Sequence, residues 1–237
     1  MSLLQVDGIS RHFGGVTALR NVDVRMREGE TLGMIGPNGS GKTTFVNIVT
    51  GHLVPDGGRL LFKGTSIAGA APHHLAALGL TRTYQAVRVF GGLSVRKNIE
   101  AALLLGLSGA PAAAEQDELV HWLRLDHRLS SPAGSLTLFE QRRLELLMRL
   151  LQRPSLIMLD EPVGGLAVTE VREMIALLQE LKARCSIFVI EHTMRVIREL
   201  ADRVVVLMAG EKIADGPPAD ILRDKRVVEQ YLGTAHA

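Results

Sequence analysis

Gly36-Pro37-Asn38-Gly39-Ser40-Gly41-Lys42-Thr43-Thr44 is the stretch that decides how this chain folds. It satisfies G-x-x-x-x-G-K-[ST], with Gly36, Gly41, Lys42 and Thr43 in the required places. Glycines let the backbone curl tightly and turn its N–H groups toward a phosphate chain. Lys42 supplies a point charge for β- and γ-phosphates, and the Thr43 hydroxyl is a ligand for Mg²⁺. Upstream, Glu30-Thr31-Leu32-Gly33-Met34-Ile35 reads as a short buried strand; downstream, Phe45-Val46-Asn47-Ile48-Val49 reads as a helix. Strand, loop and helix in that order aim a helix N-terminus at an anion.

The chain of 237 residues is expected to form one large domain or a domain with a subdomain, with 46% hydrophobic residues for a core and only 4% aromatics, so packing rests on Leu, Val, Ile and Ala. A formal charge of +2 is too mild to point to nucleic acid. Cys185 is the single cysteine, which excludes an internal disulfide and a cysteine-based zinc site and fits a reducing, cytoplasmic setting. The opening Met1-Ser2-Leu3-Leu4 has no basic region or long apolar stretch of the kind a signal peptide carries. The most lipid-like run, Ala101 to Ala114, is broken by two glycines and Pro111 and is shorter than the roughly 20 residues a spanning helix needs. The expectation is a chain that does not itself cross a membrane.

Leu3 to Ser10 and Ala18 to Met26 alternate as antiparallel strands do, and Arg59 to Gly64 follows the turn Pro55-Asp56-Gly57-Gly58. A short helix over His73 to Leu78 and a strand over Leu80 to Gln85 come next. Val95 to Leu105, Glu115 to Leu125 and Glu140 to Leu151 are candidate helices, so 93–151 is read as a helical subdomain inserted into a core of 1–92 and 152–237. Ser155 to Asp160 and Ser186 to Glu191 are continuous apolar runs suited to strands buried on both faces. Helices over Val168 to Ala183 and Met194 to Ala201, a hairpin of Val204 to Met208 with Lys212 to Ala214, and two short terminal helices complete the pattern. The fold class is α/β: a P-loop NTPase core with an N-terminal antiparallel β subdomain and an inserted helical subdomain.

Asp160-Glu161-Pro162 follows one of the buried strands. An acid at the carboxyl end of such a strand lies near the phosphate loop in an α/β sheet. One carboxylate can hold Mg²⁺ and its neighbour can polarise water for attack on a γ-phosphate.

With these residues in place, the chain resembles the ATP-binding subunit of an ABC transporter over nearly its whole length. The resemblance implies ATP and Mg²⁺ as cofactors and assigns parts by position. Arg11-His12-Phe13-Gly14-Gly15 looks like the A-loop, with Phe13 on the adenine face. Gly36, Asn38, Gly39, Ser40, Gly41, Lys42, Thr43 and Thr44 form the Walker A loop. Thr83-Tyr84-Gln85 looks like the Q-loop, with Gln85 reaching Mg²⁺ and the attacking water. Asp160 is the Walker B aspartate, Glu161 the general base, and His192 in Ile190-Glu191-His192 the switch that contacts the γ-phosphate. Leu80 to Gln85, Arg88-Val89-Phe90, Gln141 to Glu145 and Val228 to Gly233 resemble the branched-chain amino-acid importer subgroup, although the helical subdomain looks shorter than is usual there.

Two stretches depart from the family pattern. The family signature L-S-G-G-Q aligns with Leu136-Thr137-Leu138-Phe139-Glu140, so Leu138 and Phe139 put side chains where backbone approaches a nucleotide closely. The D-loop, which in the family ends in Asp or Asn, ends here in Ala167. Both elements act across a dimer interface in the family. The resemblance therefore implies a second, non-identical ATPase subunit as partner, a homodimer being the alternative. It also implies transmembrane permease subunits, a solute-binding protein acting indirectly, no nucleic acid, and a peripheral position on the cytoplasmic face of the inner membrane. The rival is a regulatory or non-transport nucleotide-binding module with weak hydrolysis.

Overall fold

The computed structural model describes residues 2–104, 111–224 and 227. In chain order its strands and helices are β1 (Ser2–Phe13), β2 (Val16–Arg27), β3 (Thr31–Ile35), α1 (Lys42–Val49), β4 (Gly57–Phe62), β5 (Thr65–Ser66), α2 (Pro72–Ala77) and β6 (Leu80–Arg82). There follow α3 (Val95–Leu104), α4 (Ala113–Trp122), α5 (Leu138–Leu150), β7 (Leu156–Asp160), α6 (Val168–Leu181), β8 (Ser186–Ile190), α7 (Met194–Leu200), β9 (Arg203–Met208), β10 (Glu211–Gly216) and α8 (Pro218–Ile221). The chain divides into two compact units, residues 1–72 with 186–237 and residues 73–185. Most expected elements recur within a few residues of their expected bounds. The expected Leu105, the stretch Val228 to Gly233 and a second terminal helix lie outside the described residues.

In the first unit, β1 lies between β2 and β4, antiparallel to both, with Val6 opposite Val24 on one side and Leu60 on the other. Leu19, Val22, Val24 and Met26 of β2 are buried while the residues between them face out, the period of a sheet with one packed face. A second group of strands runs in the order β10, β9, β3, β8. There β3 is parallel to β8 and to β9, with Gly33 opposite Val189 and Val204. All five residues of β3 and all five of β8 are buried, which explains their unbroken apolar runs. Phe45 of α1 stacks on Phe188 of β8 with ring centroids 5.8 Å apart, fixing the helix that leaves the phosphate loop against this sheet.

In the second unit, β6 and β7 pair in parallel, Thr81 opposite Ile157, and both are wholly buried. Helix α5 is buried around most of its circumference, including the charged Arg142, Arg143 and Glu145. Leu144 and Leu147 supply its apolar stripe. Fully buried Asn98 of α3 closes the turn that leads into that helix: its Oδ1 accepts from the Phe90 N–H at 2.8 Å and its amide donates to the Phe90 carbonyl at 3.1 Å. No helix among the described residues is long and apolar enough to cross a membrane.

Candidate functional site: a phosphate loop and a carboxylate cluster

The phosphate loop leaves β3 at Gly36 and enters α1 at Lys42. At Gly36 a Cβ would lie 2.1 Å from the Leu207 carbonyl oxygen of β9. At Gly41, where φ is 102°, it would lie 2.5 Å from the Ala18 carbonyl oxygen of β2. Glycine is therefore required at both positions by close backbone approach, and at Gly41 also by the left-handed conformation. The Gly210 N–H, in the turn joining β9 to β10, donates to the Ser40 carbonyl at 3.1 Å, so the loop is braced from that side too. The Lys42 ammonium rests on the Gly36 and Pro37 carbonyls at 2.7 and 2.9 Å. Asn38, Gly39 and Thr43 are exposed, Thr44 is half-buried, Ser40 is buried, and the first turn of α1 holds no acid. The helix's positive end is thus left for an anion. This cradle fits a triphosphate.

Phe13 ends β1 with 44% of its surface exposed, and the Arg11 guanidinium lies 4.9 Å from its ring centroid. Asp56, from the turn before β4, accepts from the His12 N–H at 2.6 Å and from Arg11 Nη1 at 2.5 Å. The His12 backbone bond, then the His12 ring and Arg11, hold the Asp56 carboxyl below its ordinary range. The sequence read Asp56 only as a turn residue; that it ties down the end of β1 was not visible there. His192 is exposed just beyond β8, next to Glu191, which is completely buried.

In the second unit, Asp160 closes β7 and Glu161 begins the turn that follows, at φ 50°. A glutamate at positive φ is uncommon and is held by its surroundings. Gln85 Nε2 donates to Glu161 Oε2 at 2.8 Å, so the expected water-orienting amide and the expected base are in direct contact. Asp160 Oδ2 accepts from Arg82 Nη2 at 2.6 Å, and both residues are buried. The ion pair was absent from the sequence reading, which took Asp160 only as a metal ligand. In this unit the Asp160 carboxylate and the Gln85 amide oxygen are hard oxygen donors of the kind Mg²⁺ takes, as is the Thr43 hydroxyl in the first unit.

Residues Leu136 to Glu140 start α5. Thr137 is its N-cap: Thr137 Oγ1 accepts from the Glu140 N–H at 3.2 Å and Glu140 Oε2 accepts from the Thr137 N–H at 2.9 Å. This reciprocal pair is a capping box. Arg128 Nε donates to Glu140 Oε1 at 2.8 Å. Burial alone would raise the Glu140 pKa, but the Thr137 N–H and Arg128 outweigh it and hold the carboxyl below its ordinary range. Leu138 and Phe139, which the sequence reading sets against the two signature glycines, differ. The Phe139 ring is 7% exposed and packs under the Arg143 guanidinium, whose Cζ is 4.4 Å from its centroid, whereas Leu138 is 40% exposed. Leu138 Cδ2 lies 3.1 Å from where a Cβ on Gly165 would be. Ala167 is the N-cap of α6 without a side-chain acceptor; the Glu170 carboxylate accepts its N–H at 2.8 Å.

Glu145, on α5, is 1% exposed and accepts the Arg88 N–H at 3.3 Å, together with a backbone bond from Tyr84. Burial pushes its carboxyl from 4.5 up to about 7, partly offset by Arg149, these two N–H groups and Arg142. Because folding raises this pKa, the stabilisation from the bound proton is complete below the unfolded value of 4.5 and is lost as pH rises through about 7. Glu145→Gln, neutral throughout, is expected to raise the thermal midpoint at pH 8, by the equivalent of up to roughly 3 kcal/mol, and to leave it nearly unchanged near pH 4.5. A lower midpoint than the parent's at pH 8 would contradict this.

Comparison with known proteins fits this geometry. The family description "ABC transporter" matches residues 19–164, and "Branched-chain amino acid ATP-binding cassette transporter" matches residues 211–237. The chain is 35% identical to the high-affinity branched-chain amino acid transport ATP-binding protein BraF of Pseudomonas aeruginosa, with 98% of each chain covered. It is 32% identical to a probable branched-chain amino acid transport ATP-binding protein, LivG, of Archaeoglobus fulgidus, covering 98% of this chain and 96% of that one. Among solved structures, the ADP conformation of an ATP-binding cassette of an ABC transporter superposes with a TM-score of 0.88 at 29% identity, covering 98% and 99% of the two chains. The chain belongs to the ABC transporter family, as one of its ATP-binding, ATP-hydrolysing cassettes.

Proposed function

We propose that this chain is the ATP-hydrolysing subunit of an importer for branched-chain or other amino acids or related small amides, energising transport through separate permease subunits from the cytoplasmic face of the membrane. The observation that carries the solute class is the similarity, over 98% of the chain, to ATP-binding proteins named for branched-chain amino acid transport. Lys42 and the N–H groups of Gly39 and Gly41 bind phosphates, with Gly36, Asn38, Ser40 and Thr44 shaping the loop. Phe13 stacks on adenine. Thr43, Asp160 and Gln85 are the oxygen donors for Mg²⁺, which when bound neutralises charge on the phosphates. Arg82 fixes the orientation of the Asp160 carboxylate. Glu161, held by Gln85, orients or deprotonates the attacking water, and His192 contacts the γ-phosphate.

Leu136 to Glu140 support a further reading, that this chain works with a second, non-identical ATPase. In the family these residues approach a nucleotide held by the other subunit. Here the Thr137 hydroxyl and the Glu140 carboxylate are engaged with one another's backbone, and Leu138 presents an apolar side chain. ATP on Lys42 is then turned over beside a partner's intact signature, while ATP on the partner faces this closed one. The same closure favours the alternative of a regulatory cassette with weak hydrolysis if no such partner exists.

Affinity purification from detergent-solubilised membranes is expected to recover two permeases and a second ATPase; soluble partners alone would overturn the transport reading. Leu138→Gly tests the signature, because Phe139 is a core residue whose loss would disturb folding. The variant is expected to raise the turnover of the assembled complex up to about two-fold, as the slow site of the pair becomes a second working one. An unchanged rate would show that Leu138 does not limit the second site.

A further inference from the structure

We infer that Arg142 and Glu145, three residues apart on helix α5, are positioning residues for hydrolysis, holding Glu161 and Gln85 from opposite ends of their shared hydrogen bond. The inference rests on the roles proposed above for Gln85 and Glu161. Both α5 side chains bond main chain. Glu145 accepts N–H groups from Tyr84 and from Arg88, so it pins the backbone on each side of Gln85. The Tyr84 ring adds to this anchor, since the Arg88 guanidinium lies 3.8 Å from its centroid and that of Arg82 5.1 Å. Asn98 fixes the same segment again at Phe90. Gln85 is thus an exposed residue of a strap tied down before and after it.

On the other side, Arg142 Nη2 donates to the Gly164 carbonyl at 2.6 Å. The Gly164 N–H in turn donates to the Glu161 carbonyl at 3.0 Å, closing the turn in which Glu161 holds its positive φ. A charge-assisted bond to a carbonyl at that distance is among the stronger neutral–ionic contacts available. It acts on the turn that carries Glu161. The chemistry of Glu145 argues for the same purpose. A buried carboxylate whose ionisation the fold opposes is a poor way to stabilise a helix. It is an effective way to grip two backbone donors with one rigid group. Helix α5 therefore carries the Leu136 to Glu140 segment at its start and, within the next two turns, the residues that hold Gln85 and Glu161.

The test compares Arg142→Ala and Glu145→Ala with Glu145→Gln, Arg142→Lys and Glu161→Gln, all in the full chain with its copurifying subunits. ATP turnover is measured alongside binding of a fluorescent ATP analogue. Misplacing reacting groups by about 1 Å costs on the order of a hundred-fold in rate. Each alanine variant is thus expected to lose roughly ten- to a hundred-fold in kcat while KM and analogue binding stay near the parent's. Glu145→Gln, which keeps an acceptor oxygen, and Arg142→Lys, which keeps a cationic donor, are expected to regain a substantial part of the rate. Parental kcat in the alanine variants, or a loss confined to KM, overturns the inference while leaving the roles of Gln85 and Glu161 standing. If an alanine variant does not fold, Arg142→Met and Glu145→Leu, which keep bulk but remove the donor or acceptor, take its place: kcat below a tenth of the parent's with parental analogue binding supports the inference, and parental kcat in both overturns it. Parental turnover in Glu161→Gln instead removes the parent reading.

Discussion

A backbone that must lie against phosphates leaves no space for side chains, and the first unit is arranged around that requirement. Gly36 and Gly41 sit where a Cβ would strike the carbonyl oxygens of Leu207 and Ala18. The loop is thereby wedged between β9 and β2, and its last turn is braced by Gly210. With β3 buried on both faces and α1 stacked through Phe45 on Phe188, the helix N-terminus is aimed by packing rather than by flexible contacts. Preorganised N–H groups of this kind need no rearrangement when charge arrives, which is the main source of their binding and catalytic effect.

The second unit handles charge differently. Four of its carboxylates are held by identified groups: Asp160 by Arg82, Glu161 by Gln85, Glu140 by Thr137 and Arg128, and Glu145 by the backbone of Tyr84 and Arg88. Most of these contacts join segments far apart in sequence. They hold polar groups in fixed geometry inside a low-dielectric environment, where an unpaired one would be costly.

Much of this was legible in the chain. The buried strands Leu156–Asp160 and Ser186–Ile190 announced themselves as unbroken apolar runs, and the phosphate loop as a motif with strand and helix on either side. Helix ends were less so. Helix α4 stops at Trp122 rather than Leu125 because Arg124 takes a positive φ of 52°, which no propensity signals. Helix α5 begins at Leu138, two residues before the expected Glu140, and here the signal existed: Thr137-Leu138-Phe139-Glu140 has the spacing of a capping box. The roles of Asp56, Asn98, Arg142 and Glu145 could not be read from neighbours in sequence. Each depends on a hydrogen bond to backbone that only the fold brings within reach.

The central claim is that this cassette binds and hydrolyses its own ATP while offering its partner a closed signature. Rapid-quench measurement of a single turnover, on the purified complex loaded with ATP at both sites, tests it most directly. The account predicts a fast burst of one ATP per pair of ATPase subunits, with the second retained or hydrolysed far more slowly. A burst of two ATP at one rate would contradict it.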